Sequence, residues 1–264
     1  MLILKNKINE ISKNPQEQIK RKNSWYVSNQ SDELEHRKNL KKVFENRVKF
    51  ITDYINYYQL MRGIFYKEKL KLKLLDAGCG DGVLLERLSK ISNLQLYGMD
   101  YNPQRVLKAR NNVPKADIKI GDLKNMSYPK EYFDIIILSQ VLEHIVEDVV
   151  VLRNLYDAMN DKGIFILGVP NEGCLLARFR NKIIEPNIMK TTDHVNFYTE
   201  NKIREKLSKV EFKVLKIMRE NFFYPHQFIN RYMNTYNWSY HISNIFGKII
   251  ISQVAGYYFV CGKE

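Results

Sequence analysis

The central part of the chain alternates short apolar runs with segments in which apolar residues recur every three or four positions. Short apolar runs between turn residues are typical of buried strands, and the longer period is typical of helices. The runs predict five strands, at 72–75, 94–99, 116–120, 133–139 and 163–169. Helical patterns at 83–91, from Pro103 onward and at 148–159 separate them. Strands that alternate with helices predict a parallel sheet that binds its ligand at the carboxyl ends of the strands.

The flanks of this region are patterned as well. A sparse apolar period at 5–22 predicts a loosely packed amphipathic helix or a partly ordered arm, and a strong period at 32–58 predicts a long helix. Thr199 is placed to cap a helix at 199–207. Two further strands are predicted at 212–218 and 256–261, and the aromatic-rich stretch between them, 222–250, has a helical pattern. The whole chain therefore predicts a seven-stranded α/β fold.

Composition narrows the class of protein. The chain has 264 residues, of which 45% are hydrophobic and 12% aromatic, so one sizeable core is expected rather than disorder. Cys79, Cys174 and Cys261 have neither disulfide-framework nor zinc-site spacing, which fits a reducing cytoplasm. We expect neither a signal peptide nor a membrane-spanning helix. The net charge of +13 suits nucleic acid, an anionic membrane surface or a phosphorylated substrate, but lysines spread along the chain favour an ordinary solvated surface.

The most informative stretch joins the first strand to its helix and reads Asp76-Ala77-Gly78-Cys79-Gly80-Asp81-Gly82. Three glycines at alternate positions allow a sharp turn and a close approach of the backbone to a ligand. The start of the stretch also matches a dinucleotide-binding turn, but its third glycine comes one residue too early for that motif. The stretch predicts a nucleotide-type ligand without identifying it.

Polar groups follow the next three strands. Asp100 ends the second strand, where a carboxylate can accept hydrogen bonds from both hydroxyls of a ribose. Capping of the helix at Pro103 is the plain alternative for this residue. Asp122-Leu123 follows the third strand, and Ser139-Gln140-Val141-Leu142-Glu143-His144 follows the fourth. All of these groups are expected at one edge of the sheet.

Together these motifs resemble the class I S-adenosylmethionine (SAM) methyltransferases, whose first motif has the form (D/E)-x-G-x-G-x-G. The resemblance covers at least residues 72–170 and implies a doubly wound, Rossmann-like sheet whose last strand is antiparallel. It implies SAM as the cofactor and S-adenosylhomocysteine as the product, whereas a dehydrogenase would explain only the first two motifs. The residues that this resemblance assigns to SAM are Asp76, Gly78, Cys79, Gly80, Asp100, Tyr101, Asp122, Leu123, Ser139 and Gln140.

Within this class, the chain is most similar to the ubiquinone-biosynthesis O-methyltransferases and the sugar methyltransferases. The likeness rests on Trp25-Tyr26, Arg47-x-x-Phe50-Ile51, Val141-Leu142-Glu143-His144 and Asp193-His194-Val195-Asn196-Phe197-Tyr198-Thr199. It implies that Arg47 pairs with the SAM carboxylate and that Trp25-Tyr26 covers the cofactor; a solvated arginine and aromatics packed on the core are the plain alternatives.

We expect one methyltransferase domain over residues 1–264. Its predicted parts are a helical cap at 1–68, a SAM-binding core at 69–220, an acceptor lid or dimer insertion at 221–254 and the last strand at 255–264. One departure from the family bears on metals. Members that use a divalent metal resemble Glu-x-x-Glu-His, whereas Gln140 stands in the first position here. An amide is a weaker ligand for a hard cation than a carboxylate, so we expect no metal.

The methyl group of SAM is already activated, so its transfer mainly demands positioning. A hydroxyl acceptor also needs a base whose pKa lies near the working pH, and histidine meets that need. His194 ranks ahead of His144, which in this group often shapes the SAM pocket, and Asp193 is the candidate to orient the imidazole. A role as a loop anchor is the alternative for either histidine.

The acceptor is predicted from the stretch that precedes the last strand. Aromatic faces among Asn, Gln and His suit a sugar, and basic residues suit its phosphate. We therefore expect O-methylation of a small polar acceptor that is anionic or bears a phosphate. The acceptor we favour is a sugar, either carried on a nucleotide or destined for a surface polysaccharide. N-methylation of an amino sugar, O-methylation of a quinone-type phenol, RNA methylation and a non-catalytic SAM-binding module are the alternatives. RNA is disfavoured because no base-flipping signature follows the fourth strand, and a homodimer is left open. The aromatic residues are Phe222, Phe223, Tyr224, Tyr232, Tyr236, Trp238 and Tyr240.

Overall fold

A computed structural model describes Leu34 and residues 38–66, 71–187 and 193–263. The predicted helix at 5–22 and the Trp25-Tyr26 pair lie outside the described residues. The strands are β1 (Leu72–Ala77), β2 (Leu94–Asp100), β3 (Asp117–Ile120), β4 (Phe133–Ser139), β5 (Met159–Pro170), β6 (Phe212–Arg219) and β7 (Gly256–Lys263). The helices are α1 (Lys38–Tyr66), α2 (Val83–Leu88), α3 (Pro103–Asn112), α4 (Asp148–Ala158), α5 (Leu175–Phe179), α6 (Glu200–Lys209), α7 (Gln227–Thr235) and α8 (Asn237–Ile249).

The seven strands form one sheet in the order β3-β2-β1-β4-β5-β7-β6. β1 to β5 are parallel to one another, and β7 is antiparallel to both β5 and β6. The predicted doubly wound, mostly parallel sheet with an antiparallel last strand is therefore confirmed. Because β6 is antiparallel to β7, it runs in the same direction as β1 to β5.

Both faces of the sheet are covered, and the alternation of side chains explains why the strands are apolar throughout. Leu74, Ile135 and Ile166 point to one face, where they pack with buried residues of α1, α2 and α3. Their neighbours in sequence, such as Leu75 and Ile136, point to the other face and pack with α4 and α6. These two apolar layers fix the position of the sheet and therefore of its strand ends.

The structure departs from the predicted elements mainly at their ends. α1 extends to Tyr66, and β5 begins at Met159 directly after α4 rather than at Gly163. α5 and the π-helical turn after it, Arg180–Ile184, were not predicted because they are too short to show a helical period. Among the described residues, no helix is long and apolar enough to cross a membrane.

β1 to β6 run in the same direction, so their carboxyl ends lie at one edge of the sheet. We call this edge the site edge. The glycine turn follows β1 at this edge, and the segment after Ser139 follows β4 there. The pair α7 and α8 follows β6 at the same edge. The glycine turn, the segment after Ser139 and the α7–α8 pair thus all lie at one edge of the sheet.

Candidate cofactor-binding and active site

The glycine turn has the backbone geometry that its sequence predicts. Gly78, Gly80 and Gly82 have φ angles of 80°, 53° and 80°, in the left-handed region that side chains disfavour. The N–H of Gly78 donates to the carbonyl of Met99 at 2.7 Å, which ties the turn to β2. A Cβ atom on Gly78 would lie 2.4 Å from Cγ2 of Val141. Glycine is therefore required at this position by both conformation and space.

Asp100 fastens the glycine turn from the end of β2. Its carboxylate accepts hydrogen bonds from the N–H of Gly80 and the N–H of Asn102, each at 2.9 Å. Burial raises the pKa of Asp100, and these two hydrogen bonds oppose that rise. Asn102, not Asp100, caps α3, because its side chain accepts from the N–H of Gln104 at 3.0 Å. Each oxygen of Asp100 retains a second lone pair, so the predicted ribose contact remains chemically open.

A second buried carboxyl group lies at the end of β1. Burial, and then the charge of Asp100, raise the pKa of Asp76 to about 7. A cationic ligand beside these two acids would favour their ionised forms. The sulfonium and ammonium groups of SAM are such cations, so this pair fits the cofactor.

The residues predicted to meet the adenine and the backbone of the cofactor differ in what they present. Tyr101 exposes much of its ring, and Asp122 is also exposed, where it caps a short 3₁₀ turn by accepting from the N–H of Lys124 at 2.9 Å. The side chains of Cys79 and Leu123 are buried in the two apolar layers. These two residues can therefore reach a ligand only through their backbone groups.

The end of β4 contains a strained residue. Gln140 has a φ of 57°, and its side-chain Nε2 is buried without a hydrogen-bond partner among the described residues. Non-glycine residues in this region of φ concentrate at functional sites. The hydroxyl of Ser139 lies 2.5 Å from the hydroxyl of Tyr258, which leaves it a further hydrogen-bonding position, and its contact with SAM stays a prediction. The unsatisfied amide of Gln140 is a free donor for a ligand, and with Asp76, Asp100 and the glycine turn it makes these residues fit SAM.

Arg47 lies near this end of the sheet, paired with a residue that the sequence did not suggest. Its Nε and Nη2 atoms donate to the two carboxylate oxygens of Glu220, at 2.5 and 3.0 Å. The guanidinium also lies 5.7 Å from the centre of the Tyr258 ring. Glu220 uses two of the five N–H donors of Arg47. Pairing of Arg47 with the SAM carboxylate stays a prediction, and it now has to accommodate Glu220.

Two histidines meet at the site edge, each with its own carboxylate. Nδ1 of His194 hydrogen-bonds Oε2 of Glu172 at 2.5 Å, and Nδ1 of His144 lies 3.2 Å from Oδ2 of Asp193. The two rings contact edge to face with their centres 4.7 Å apart. The prediction that Asp193 orients His194 is therefore wrong: Asp193 faces His144, and Glu172 takes the predicted place. Adjacent side chains in a loop need not point the same way, and Glu172 lies too far along the chain for spacing to reveal it.

The charges around His194 favour its protonated form. Burial alone would lower the pKa of His194, but the hydrogen bond and charge of Glu172 outweigh it, so the pKa is raised. Burial likewise raises the pKa of Glu172, yet the hydrogen bond and charge of His194, with the charge of Arg180, bring it below its ordinary value. The Nη2 atom of Arg180 lies 3.6 Å from Oε1 of Glu172. Glu172 is thus an ionised, fixed partner for an imidazole that can accept a proton.

Glu143 lies beside the two histidines and anchors the loop that carries His194. Its backbone carbonyl accepts from the N–H groups of Val195 and Asn196, at 2.9 and 3.1 Å, which anchors the His194 loop to the end of β4. Burial raises the pKa of its carboxyl group, whose Oε2 has no hydrogen-bond partner among the described residues. Ligand atoms of Glu143, His144 and His194 lie within 4.8 Å of one another. We expected no metal because Gln140 replaces a carboxylate. The fold nevertheless brings together Glu143, His144 and His194, whose side chains could hold a cation.

The aromatic residues of the predicted lid do not converge on one pocket. Phe223 and Tyr240 are buried, and Tyr240 is hydrogen-bonded to Asn46. Tyr232, Tyr236 and Trp238 are about half exposed. The inward set secures the insertion to the rest of the fold, and the outward set faces away from it.

Comparisons with known proteins agree with this geometry. A family model described as a methyltransferase domain matches residues 30–217. The ubiquinone biosynthesis O-methyltransferase of Azorhizobium caulinodans is 28% identical over 104 residues, which cover 38% of this chain and 41% of that protein. The mitochondrial ubiquinone biosynthesis O-methyltransferase of Saccharomyces cerevisiae is 28% identical over 144 residues, covering 50% and 45%. The matches therefore span less than half the length of these relatives.

Solved structures show the same fold. The crystal structure of a SAM-dependent methyltransferase from Archaeoglobus fulgidus superposes with a TM-score of 0.52 at 19% identity, covering 78% of this chain and 94% of that one. At this identity the likeness concerns the fold alone. The family match covers most of the chain, including the glycine turn, Asp100 and the two histidines. The chain therefore belongs to the methyltransferase domain family, as a class I member with SAM as its cofactor.

Proposed function

We propose that this chain transfers the methyl group of SAM to a hydroxyl group of a small polar acceptor, with His194 as the general base. The observation that carries this proposal is the His194–Glu172 pair at the site edge. A carboxylate that fixes one nitrogen of an imidazole leaves the other nitrogen to take a proton. SAM supplies the activated methyl group when it is bound.

Each residue of the site has a defined part in this scheme. The backbone of the glycine turn and the carboxylate of Asp100 would hold the cofactor, and the amide of Gln140 would donate a hydrogen bond to it. His194 would remove the proton of the acceptor hydroxyl, and Glu172 would stabilise the resulting imidazolium. His144 and Asp193 would support the ring of His194 through the edge-to-face contact.

The substrate we favour is a sugar, carried on a nucleotide or destined for a surface polysaccharide. Lysines and arginines able to pair with a phosphate support an anionic or phosphate-bearing acceptor. A quinone-type phenol is the second candidate, because two relatives are named as ubiquinone biosynthesis O-methyltransferases. N-methylation of an amino sugar and methylation of RNA are further alternatives. A phenol ionises far more readily than a sugar hydroxyl, so a phenol would depend less on His194.

A screen with labelled SAM tests the class of acceptor. Purified chain would be incubated with nucleotide-sugars, catechol-type phenols, amino sugars and RNA, and incorporation of label measured. We expect methylation of a nucleotide-sugar hydroxyl that persists in EDTA, because Gln140 replaces the first carboxylate of the metal motif. Label in phenol alone would favour the second candidate, and label in RNA alone would refute a small-molecule acceptor. Loss of activity in EDTA with recovery on adding a divalent cation would assign the Glu143 group to a metal.

Glu172→Gln is expected to lower kcat roughly 10- to 100-fold with little change in KM for SAM. His194 acts only when deprotonated, so its raised pKa places the acid limb of the pH profile above that of an ordinary histidine. Removing the charge of Glu172 lowers that pKa, and the acid limb should move to lower pH. The measurement is kcat against pH for wild type, Glu172→Gln and the exposed control Glu205→Gln. An acid limb that does not move in Glu172→Gln would contradict the role assigned to Glu172.

A further inference from the structure

The last helix of the insertion carries its large apolar side chains on the outside. Trp238, Ile242, Ile245 and Ile249 of α8 are 56%, 38%, 56% and 70% exposed. Their spacing of four, three and four residues places them in one stripe along the helix. A helix at the surface of a protein normally shows this stripe to the core. The solvent-exposed face of α8 is thus a contiguous apolar patch, of the kind that marks an interaction site.

The inward face of α8 fixes this orientation. Ser239, Ser243 and Gly247 are buried on it at four-residue steps, and Tyr240 is buried beside them with its hydroxyl bonded to Asn46. A Cβ atom on Gly247 would lie 3.0 Å from the carbonyl oxygen of Glu220 and 3.1 Å from the nitrogen of Phe222. A large side chain has no room at Gly247. The helix therefore cannot turn its apolar stripe inward without losing its close contact with the end of β6.

The stripe continues onto the neighbouring helix. Tyr232 of α7 contacts Trp238, with ring centres 6.0 Å apart, and Tyr236 contacts Tyr232 at 5.2 Å. Phe228 and Ile229 of α7 are also exposed. We call these residues together with the α8 stripe the apolar face. Its members are Phe228, Ile229, Tyr232, Tyr236, Trp238, Ile242, Ile245 and Ile249.

The two helices of the apolar face carry charge of one sign. No aspartate or glutamate occurs between residues 221 and 263, whereas Arg231 and Lys248 lie on the two helices. Lys248 lines a cavity of about 300 Å³ beside the stripe, together with Arg219, Asn244, Gly247 and Ile251. Arg219 is held by the carboxylate of Glu200 at 2.9 and 2.8 Å. Lys248 has no carboxylate partner among the described residues, so its charge is available to an anion.

We propose that the apolar face binds the surface of an anionic phospholipid bilayer. Isoleucine side chains would enter the acyl boundary, and Trp and Tyr prefer the headgroup level. Arg231 and Lys248 would meet lipid phosphates, which attract basic residues near the surface. A second copy of the chain suits the face less well, because it would bring the same positive charges together without an acidic partner. This surface is independent of the reaction proposed above.

Co-sedimentation with lipid vesicles tests the proposal on the full chain. The probes are vesicles of phosphatidylcholine alone and of phosphatidylcholine with phosphatidylglycerol in equal parts. We expect binding to the anionic vesicles only, weakened by salt. The double change Ile245→Glu and Ile249→Glu should reduce partitioning at least about tenfold, and Lys248→Gln should reduce it by a smaller factor. Leu60→Glu is the matched control, since Leu60 is 60% exposed on α1.

Leu60 is a suitable control because it lies at the opposite edge of the sheet. Its neighbour Gln59 donates a hydrogen bond to the carbonyl of Ser92, which comes just before the start of β2. A wild-type chain that does not bind anionic vesicles would overturn the proposal. Equal loss of binding in Leu60→Glu would overturn it too, because binding would then not be specific to the apolar face. Light scattering that shows a dimer, dissociated by the isoleucine changes, would assign the face to a second copy instead.

Discussion

Replacing His194 with alanine is expected to lower kcat for a hydroxyl acceptor by about 10²- to 10⁴-fold, the usual contribution of a general base. The change removes the only imidazole that Glu172 holds among the described residues. Affinity for S-adenosylhomocysteine should change little, because the glycine turn and Asp100 belong to other strand ends. Single-turnover rates and calorimetric titration of S-adenosylhomocysteine measure the two effects separately.

Two control variants distinguish the loss of a base from a general effect of mutation on the fold. His241→Ala alters an exposed histidine on α8 and should leave kcat unchanged. His194→Gln retains a hydrogen-bonding partner for Glu172 and should preserve folding while still losing turnover. Near-wild-type kcat in both His194 variants would contradict a hydroxyl acceptor activated by this residue. It would favour an amine acceptor, which needs little base catalysis.

Asp100→Ala is expected to weaken binding of S-adenosylhomocysteine by about 10²- to 10⁴-fold. If its carboxylate accepts two ribose hydroxyls, each lost hydrogen bond to a charged group is worth roughly 1.5–3 kcal/mol. The change also leaves the buried N–H groups of Gly80 and Asn102 without their acceptor, so thermal stability should fall. Calorimetric titration at a temperature where the variant is folded measures the affinity.

Asp117→Ala is the matched control for Asp100→Ala. Asp117 lies at the exposed start of β3 and pairs with Lys119 at 3.5 Å. We expect its removal to leave both affinity and stability nearly unchanged, because exposed ion pairs contribute little. An Asp100→Ala variant that is folded and retains wild-type affinity would refute the ribose contact.

The fold was largely predictable from the sequence, because strands buried on both faces are apolar throughout and alternate with helices. The 133–139 run was predicted with the bounds that β4 has. The capping role of Thr199 is confirmed by a hydrogen bond from the N–H of Lys202 to its hydroxyl at 3.4 Å. Short elements such as α5 were missed, since five residues are too few to define a period. Local pattern therefore predicted the strands and the longer connecting helices, and it missed the shortest helical turns.

The site was predictable only in its local part. The glycine turn and Asp100 lie within about a strand and helix of one another, so their spacing carries information. Glu172 and Glu220 reach their partners His194 and Arg47 through tertiary folding, and nothing in their sequence neighbourhood marks them. The carboxylate that orients His194 was wrongly predicted for this reason.

The insertion shows a second limit of sequence patterns. The apolar period of α8 predicts an amphipathic helix, but a period does not say which face meets the core. The buried residues Ser239, Tyr240, Ser243 and Gly247 mark the inward face, and Gly247 leaves no room for a side chain beside Glu220 and Phe222. The aromatic residues expected to line an acceptor lid are therefore divided between an anchoring set and an exposed one.

Fold similarity alone leaves the reaction open, because one fold carries many functions and the site decides among them. The proposed reaction requires the cofactor to lie at the site edge with His194 beside the reacting group. A crystal structure with S-adenosylhomocysteine bound tests this most directly. We predict its ribose at Asp100, its backbone contacts at the glycine turn and its sulfur on the side of the sheet edge where His194 meets Glu172. Binding elsewhere, or a sulfur turned away from His194 with another base facing it, would contradict the account.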